Sequence, residues 1–380
     1  MTALELRAQK GKEIAENFGA VTRLDETCYK VASQRTREIY QIDSTERGWI
    51  CNCPDHRFRG VKCKHIWAVE YSFQIRRLVK KETIIPVLNA QACRFCGSEK
   101  IIKKSIRHNK YGDLQRYLCK TCGKRFVINL GFEKMHASPQ AITGAMQLYF
   151  TGESFRNVQR FLKLQGVNVV HQTVYNWIQK YVGLMNKYVE QLQPQVGNAW
   201  RTDELYLKVK GDMKYLFALM DDETRFWISQ QVSEHKGTSD VKPMFREGQR
   251  IAGKNPTAII SDGAYNFAEA TTGVFWNRNL PRSEQVKHIR DITFDGERHN
   301  NKMERMNGEI RDREKTMRGI KKTNSPILTG YQIFRNFVRP HEALEGKTPS
   351  EAAGIKVEGE NKFLTLIQNA SRGPTLDREI

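Results

Sequence analysis

The spacing of apolar positions changes character several times along the 380 residues. Residues 1–24 mix charges with scattered apolar positions and read as a short charged helix. Cys28–Ala32 and Glu38–Ile42 alternate like strands, joined by the polar turn Ser33–Arg37. A helical period follows over Pro139–Phe150 behind a Ser138 N-cap, over Ser154–Leu164, and over His171–Val182 after the turn Gly166-Val167-Asn168. In the third of these, Val174, Trp177, Ile178 and Tyr181 make an apolar stripe, while Gln172, Thr173, Asn176 and Lys180 face elsewhere. Residues 183–198 read as a helix running into a linker. From Trp200 the period becomes two, giving strands at Trp200–Val209, Tyr215–Met220 and Phe226–Val232. A helix at Ser239–Ile251, a strand ending in Ser261-Asp262-Gly263, a helix near Ala264–Thr272 and a strand near Gln285–Ile289 come next. The stretch Gly296–Lys322 closes this series as a helix with two faces. Met303, Met306, Ile310 and Met317 fall within roughly a 60° arc, fit to dock on a sheet. Asn300, Glu304, Asn307, Arg311, Lys315 and Arg318 share the neighbouring arc.

Composition narrows the class. A mean hydropathy of −0.61 and no apolar run near the roughly 18 residues that span a bilayer predict a soluble chain. The start MTALELRAQKGKE lacks a signal peptide's apolar segment, so a cytoplasmic, nucleoid-associated protein is expected. Net charge is +20, unevenly spread: residues 1–130 hold 26 Lys/Arg against 13 Asp/Glu, and residues 201–380 hold 30 against 26. That excess in the first third predicts phosphate binding there.

Seven of eight cysteines fall in metal-ligand spacings; Cys28 reads as a small buried hydrophobe. Cys51, Cys53, Cys63 and His65 form a C-x-C-x9-C-x-H pattern, two close pairs of soft donors as a closed tetrahedral zinc site requires. The pattern resembles the SWIM-type zinc finger, strand–strand–helix, over about residues 25–75, whose usual role is DNA or protein binding. His56 reads as a loop residue. Cys93, Cys96, Cys119 and Cys122 form paired C-x2-C knuckles, each followed by Gly. They resemble a zinc ribbon whose hairpin carries Lys103, Lys104, Arg107, Lys110 and Arg116 with Tyr111 and Tyr117 interleaved, a candidate DNA-backbone contact or a solvated edge. The three helices after it resemble a helix-turn-helix, with Gln172, Thr173, Asn176 and Lys180 as candidate DNA contacts; plain three-helix packing is the alternative.

Two acids occupy special places in the β-rich segment. Asp203 lies in its first strand, and Asp262 lies where a buried strand ends against a Gly. Glu304 arrives on the two-faced helix. Three converging carboxylates repel one another unless protonated or metallated, so Mg2+ or Mn2+ is the natural partner, and two such ions can drive an in-line phosphodiester displacement. Glu204, one residue along the strand, is expected on the opposite face. Asp221, Asp222 and Glu223 read as a hairpin turn, Asp291, Asp295 and Glu297 as loop and cap. Glu309, Asp312 and Glu314 are left to salt bridges.

The order βββ-α-β-α-β-α, with T-D-E on the first strand, S-D-G after the fourth and N-N-K-M-E-R-M-N on the helix, resembles the RNase H-like catalytic domain of prokaryotic insertion-sequence DDE transposases. Asn336–Ile355, with its R-P-H and T-P-x-E-A-A elements, is similar to the ending of that integrase core, and the likeness covers roughly residues 135–355. It implies Asp203, Asp262 and Glu304 as catalytic metal ligands, Arg311 as a DNA contact with Lys315 and Arg318 along the same track, and metal-dependent cleavage exposing a 3′-OH that then attacks target DNA. It also implies double-stranded DNA and a homodimer or larger assembly as partners. The 41 residues between Asp262 and Glu304 exceed the mid-thirties usual in the wider superfamily, which places an insertion in Gly273–Arg282. His341 is either a packed or capping histidine or a DNA or active-site residue.

The expected fold class is multidomain α+β and α/β: a SWIM-type region at 1–85, a zinc ribbon at 86–130, a helix-turn-helix at 131–195, an RNase H-like domain with a mixed five-stranded sheet at 196–355, and a tail at 356–380. A transposase-derived DNA-binding regulator without activity, and a nuclease without strand transfer, remain as rival functions.

Overall fold

The structure is a computed structural model that describes residues 3–16, 20–23, 28–33, 38–45, 48–78, 82–88, 92–93, 95–109, 112–127, 130–290, 301–316, 320, 322–323 and 325–371. The chain divides into two compact units, one of residues 1–82, 193–308 and 352–354, the other of residues 83–192, 309–351 and 355–380.

The first unit opens with α1 (Ala3–Glu16), then the antiparallel sheet β1 (Val21–Arg23), β2 (Cys28–Ala32), β3 (Ile39–Thr45) and β4 (Gly48–Cys51), then α2 (Pro54–Arg59) and α3 (Lys64–Leu78). The charged helix ends earlier than the sequence pattern suggests, and two further strands, β1 and β4, flank the pair read from alternation. Both added strands are four residues or fewer, too short for a period to register. Ile14, Val21, Tyr29, Val31, Ile42, Ile66 and Val69 form a core continuous with the buried Cys51, Cys53 and Cys63.

The second unit begins with β5 (Thr83–Ile85) and the three-stranded sheet β6 (Ile101–Asn109), β7 (Gly112–Cys119) and β8 (Arg125–Val127). Helices α4 (Pro139–Thr151), α5 (Phe155–Leu164) and α6 (His171–Val189) follow. Ser138 and Ser154 cap the first two by accepting from the Ala141 and Asn157 backbone N–H groups at 3.2 Å each. The expected stripe on α6 is buried at Val174, Trp177, Ile178 and Tyr181, and the helix continues to Val189 because Val182 and Met185 extend that stripe.

Back in the first unit, β9 (Ala199–Val209), β10 (Asp212–Asp221) and β11 (Trp227–Ser233) run antiparallel. Then come α7 (Thr238–Ala252), β12 (Ala258–Ser261), α8 (Tyr265–Phe275), β13 (Lys287–Arg290) and α9 (Asn301–Glu314), whose residues from Glu309 on are counted in the second unit. The sheet order is β11-β10-β9-β12-β13, with β12 parallel to both β9 and β13. This mixed five-stranded sheet is the predicted one, with the first strand at its centre, and α7 packs on β10 and β11.

The chain ends in the second unit with α10 (Pro326–Ile333), a π-helical turn at Phe334–Val338, a short 3-10 turn, α11 (Pro349–Ala352), β14 (Ile355–Val357) and α12 (Lys362–Ala370). Here β14 pairs in parallel with β5, and α12 packs on α4 and α6. Phe150, Phe334 and Phe363 stack there with centroids 6.0–6.2 Å apart.

Candidate active site

Asp203 stands in the central strand opposite Ala218 of β10. On the other side of β9 the register runs Ala258↔Ala199 to Ile260↔Arg201, and β12 ends at Ser261. Asp262 thus leaves the sheet beside Asp203. Gly263, at φ +95°, turns the chain there into α8, and Asp262 Oδ1 accepts from the Ala264 N–H at 3.0 Å. The carboxylates of Asp203, Glu204 and Asp262 all lie within 4.8 Å of one another. Glu204 corrects the expectation from alternation, which put it on the opposite face from Asp203. β12 ends at Ser261, so among the described residues it does not pair with β9 beyond Arg201, and the longer glutamate side chain reaches the same cluster.

The cluster is held from one side by α9. Asn307, 2% exposed, donates from Nδ2 to Asp203 Oδ2 at 2.7 Å, while its Oδ1 is buried without a hydrogen-bond partner among the described residues. The Asp203 Oδ1 accepts from the Glu204 N–H at 2.9 Å. Burial, and then the charge of Asp262, push the Glu204 carboxyl above its ordinary range, with Lys236 opposing. His288 Nε2 lies 2.8 Å from Ser261 Oγ, and burial followed by Arg290 lowers its pKa.

Glu304 is exposed in the first turn of α9 and lies outside this group of three. It precedes Asn307 by three residues, so both belong to the same side of the helix. The Met303, Met306 and Ile310 side of the helix is buried as expected. Asn300, Asp291, Asp295, Glu297, Met317 and Arg318 lie outside the described residues.

A second arrangement was invisible in the sequence pattern. Asp222, read as a turn acid, is 1% exposed, and its Oδ1 accepts from Arg201 Nε at 2.5 Å and from Lys302 Nζ at 2.8 Å. Arg201 is two residues before Asp203, and Lys302 two before Glu304. One buried carboxylate therefore ties together the strand and the helix that carry the candidate catalytic acids. Lys302 also donates to the Asp222 carbonyl at 3.0 Å.

The cysteine sets come together in each unit. Cys51, Cys53, Cys63 and His65 are buried with donor atoms within 4.8 Å, and His65 Nδ1 lies 3.9 Å from both the Cys51 and Cys63 sulfurs. The edges of a tetrahedral zinc–thiolate site are about 3.8 Å, so four soft donors at this spacing fit that ion. His56 is not among them: its Nδ1 lies 2.9 Å from the Val61 carbonyl oxygen. In the second set the Cys93–Cys122 and Cys96–Cys119 sulfurs are each 3.6 Å apart. Backbone N–H groups of Cys122 and Thr121 bring the Cys119 thiol down to about 6, the thiolate character a metal ligand needs. Oxygen donors at Asp203, Glu204 and Asp262 suit Mg2+ or Mn2+ instead.

The candidate DNA contacts are spread over separate surfaces. Lys103, Lys104 and Arg107 are exposed on β6, whose pairing with β7 shifts between Lys103 and Ser105. Gln172, Asn176 and Lys180 are exposed on α6 and Thr173 is half-buried. Arg311 and Lys315 are exposed, Lys315 pairing with Asp312 at 2.8 Å. Glu309 pairs with Arg339 at 2.9 Å, and His341 is half-buried. Lys110 and Tyr111 lie outside the described residues.

Residues 197–341 match the family model of a DDE domain. The chain is 32% identical over 114 residues to the transposase for insertion sequence-like element IS431mec of Staphylococcus aureus, covering 29% of this chain and 49% of that protein. It is 26% identical over 215 residues to an uncharacterized 48.3 kDa protein of insertion element ISM1 of Methanobrevibacter smithii, covering 52% of this chain and 49% of that one. The chain thus spans about half the length of the curated relatives it matches. Among solved structures, the HTLV-2 integrase catalytic core overlaps 43% of this chain and 98% of its own at 18% identity and a TM-score of 0.31, too low to weigh on fold or function.

Proposed function

We infer that this chain, which contains a DDE domain of the kind found in insertion-sequence transposases, is a DNA transposase that cleaves at the ends of a mobile element and joins the freed 3′-OH to target DNA. The observation that carries the reading is the meeting of Asp203 and Asp262 at neighbouring parallel strands, with a helix bearing Glu304 fastened over them by Asn307. Asp203, Asp262 and Glu304 would hold Mg2+ or Mn2+, which when bound supplies Lewis acidity to an in-line phosphodiester displacement. Asn307 orients the Asp203 carboxylate. Glu204 shares the cluster with Asp203 and Asp262, and Glu304 would join them from α9. Arg311, Lys315 and Arg318 bind phosphates of the strand held there.

The two cysteine sets would hold zinc as structural ions. The exposed bases of β6 and the polar face of α6 would dock double-stranded DNA, and a homodimer or larger assembly would pair two element ends. The modules would keep the order read from the sequence, with residues 196–355 carrying out the chemistry.

A strand-transfer assay with Mg2+ and terminal-repeat DNA, run beside Glu304→Gln, tests this. Wild type should give joined product and the variant none. Cleavage without joining would make the protein a nuclease, and binding without any product a regulator; either result refutes the transposase reading.

A further inference from the structure

The nine residues between Cys53 and Cys63 play no part in the acidic cluster, yet they are built with unusual definition. Both ends are fixed, since Cys53 and Cys63 are buried in one set of four donors. Pro54 starts α2, and Gly60, at φ +62°, ends it after six residues in a left-handed turn. His56 Nδ1 approaches the Val61 carbonyl at 2.9 Å, closing the loop on itself. Asp55 accepts from Arg7 of α1 at 2.8 and 3.1 Å, which ties the helix to α1, and from Arg59 within α2 at 3.0 Å.

Within this anchored helix is Phe58, 86% exposed. A single exposed apolar side chain is ordinary. This one is bracketed by Arg57 and Arg59, both exposed, and the run Arg57–Lys64 holds four bases and no acid. The acids nearby are already engaged, Asp55 as above and Glu70 with Lys62 at 2.6 Å. An exposed aromatic ring on an anchored helix, between basic side chains, complements nucleic acid: arginines meet phosphates and the ring meets a base.

We propose that the α2 tip of the cysteine–histidine module is a DNA-contacting site in which Arg57 and Arg59 engage backbone phosphates and Phe58 packs against a base. The proposal deepens the transposase reading and rests on it, by assigning DNA rather than protein as the partner of this module.

The test is equilibrium binding of the full-length protein to duplex DNA across about 50 to 200 mM salt. Metal content and thermal melting are measured for each variant; Phe58, Arg57 and Arg59 lie outside the core, so both should match wild type. Phe58→Ala should weaken binding about 5- to 150-fold, the range for losing one base–aromatic contact, with an unchanged salt slope. Phe58→Trp should restore it. Arg57→Ala/Arg59→Ala should lower the slope of log K against log salt by about two. Wild-type binding by all variants overturns the proposal and leaves the transposase reading standing. Normal DNA binding with an altered assembly state assigns the tip to protein contact, and also overturns it. Wild-type protein that binds no DNA removes both.

Discussion

Asn307 and Glu204 act on the same carboxylate cluster in opposite senses. The Asn307 amide satisfies Asp203 with a hydrogen bond to a charged acceptor, a contact of about 1.5–3 kcal/mol. Asn307→Ala should lower strand-transfer rate about 10- to 100-fold and raise the Mg2+ concentration at half-maximal rate, whereas a residue needed only for folding would lower soluble yield and leave the metal titration unmoved. Glu204 is instead held at a cost, because burial and Asp262 raise its pKa. An acid whose folded pKa exceeds its unfolded one destabilises the fold as pH rises above the unfolded value, and the penalty is complete above the folded value. Glu204→Gln should therefore raise the melting temperature of protein without added Mg2+ or Mn2+ at neutral pH, with the gain vanishing as pH falls below the ordinary glutamate range. A melting temperature that rises equally at all pH values would assign the effect to packing. Alternation along β9 could not reveal this residue, since its position depends on where β12 stops.

Between elements, the Asp222 carboxylate is the fastening that sequence distance concealed: Arg201 and Lys302 are 101 residues apart and reach it from different elements. Removing one partner of a buried pair leaves charge uncompensated and costs about 3–5 kcal/mol. Asp222→Ala strands two cations and should show that full loss in urea unfolding. Lys302→Met keeps the Arg201–Asp222 pair and should cost less while releasing the start of α9. Equal losses for the two would mean that Lys302 carries the stability. What could be read beforehand were features with a local period: the β9–β11 alternation, the stripe on α6, the Met303–Ile310 side of α9. What could not were non-local features. The Phe334–Val338 π-helical turn, which buries Arg335 and Asn336 beside its apolar residues, has no period of its own in the sequence, and β5 finds its partner β14 more than 260 residues away.

At the scale of the molecule, the two cysteine sets differ in how much else supports them. The first lies at the edge of a core containing Ile14, Tyr29, Val31, Ile42, Ile66 and Val69. In the second, among the described residues, the buried cluster is Cys93, Cys119 and Phe126, with Ile101, Tyr117 and Cys122 packed alongside. A cluster that small cannot offset the entropy of ordering the β6–β8 sheet, so metal binding there is folding free energy. The N-terminal module has enough apolar burial to persist when stripped. Chelation should therefore expose β6–β8 to protease first, at a chelator concentration that leaves β1–β4 and the β9–β13 sheet protected, and Cys93→Ser should reproduce that pattern without chelator. The same variant should weaken binding to element-end DNA while leaving Mg2+ affinity at the Asp203–Asp262 cluster unchanged. Cleavage in the N-terminal module before β6–β8 would reverse the order of dependence, and normal end binding by Cys93→Ser would remove the sheet from the DNA interface.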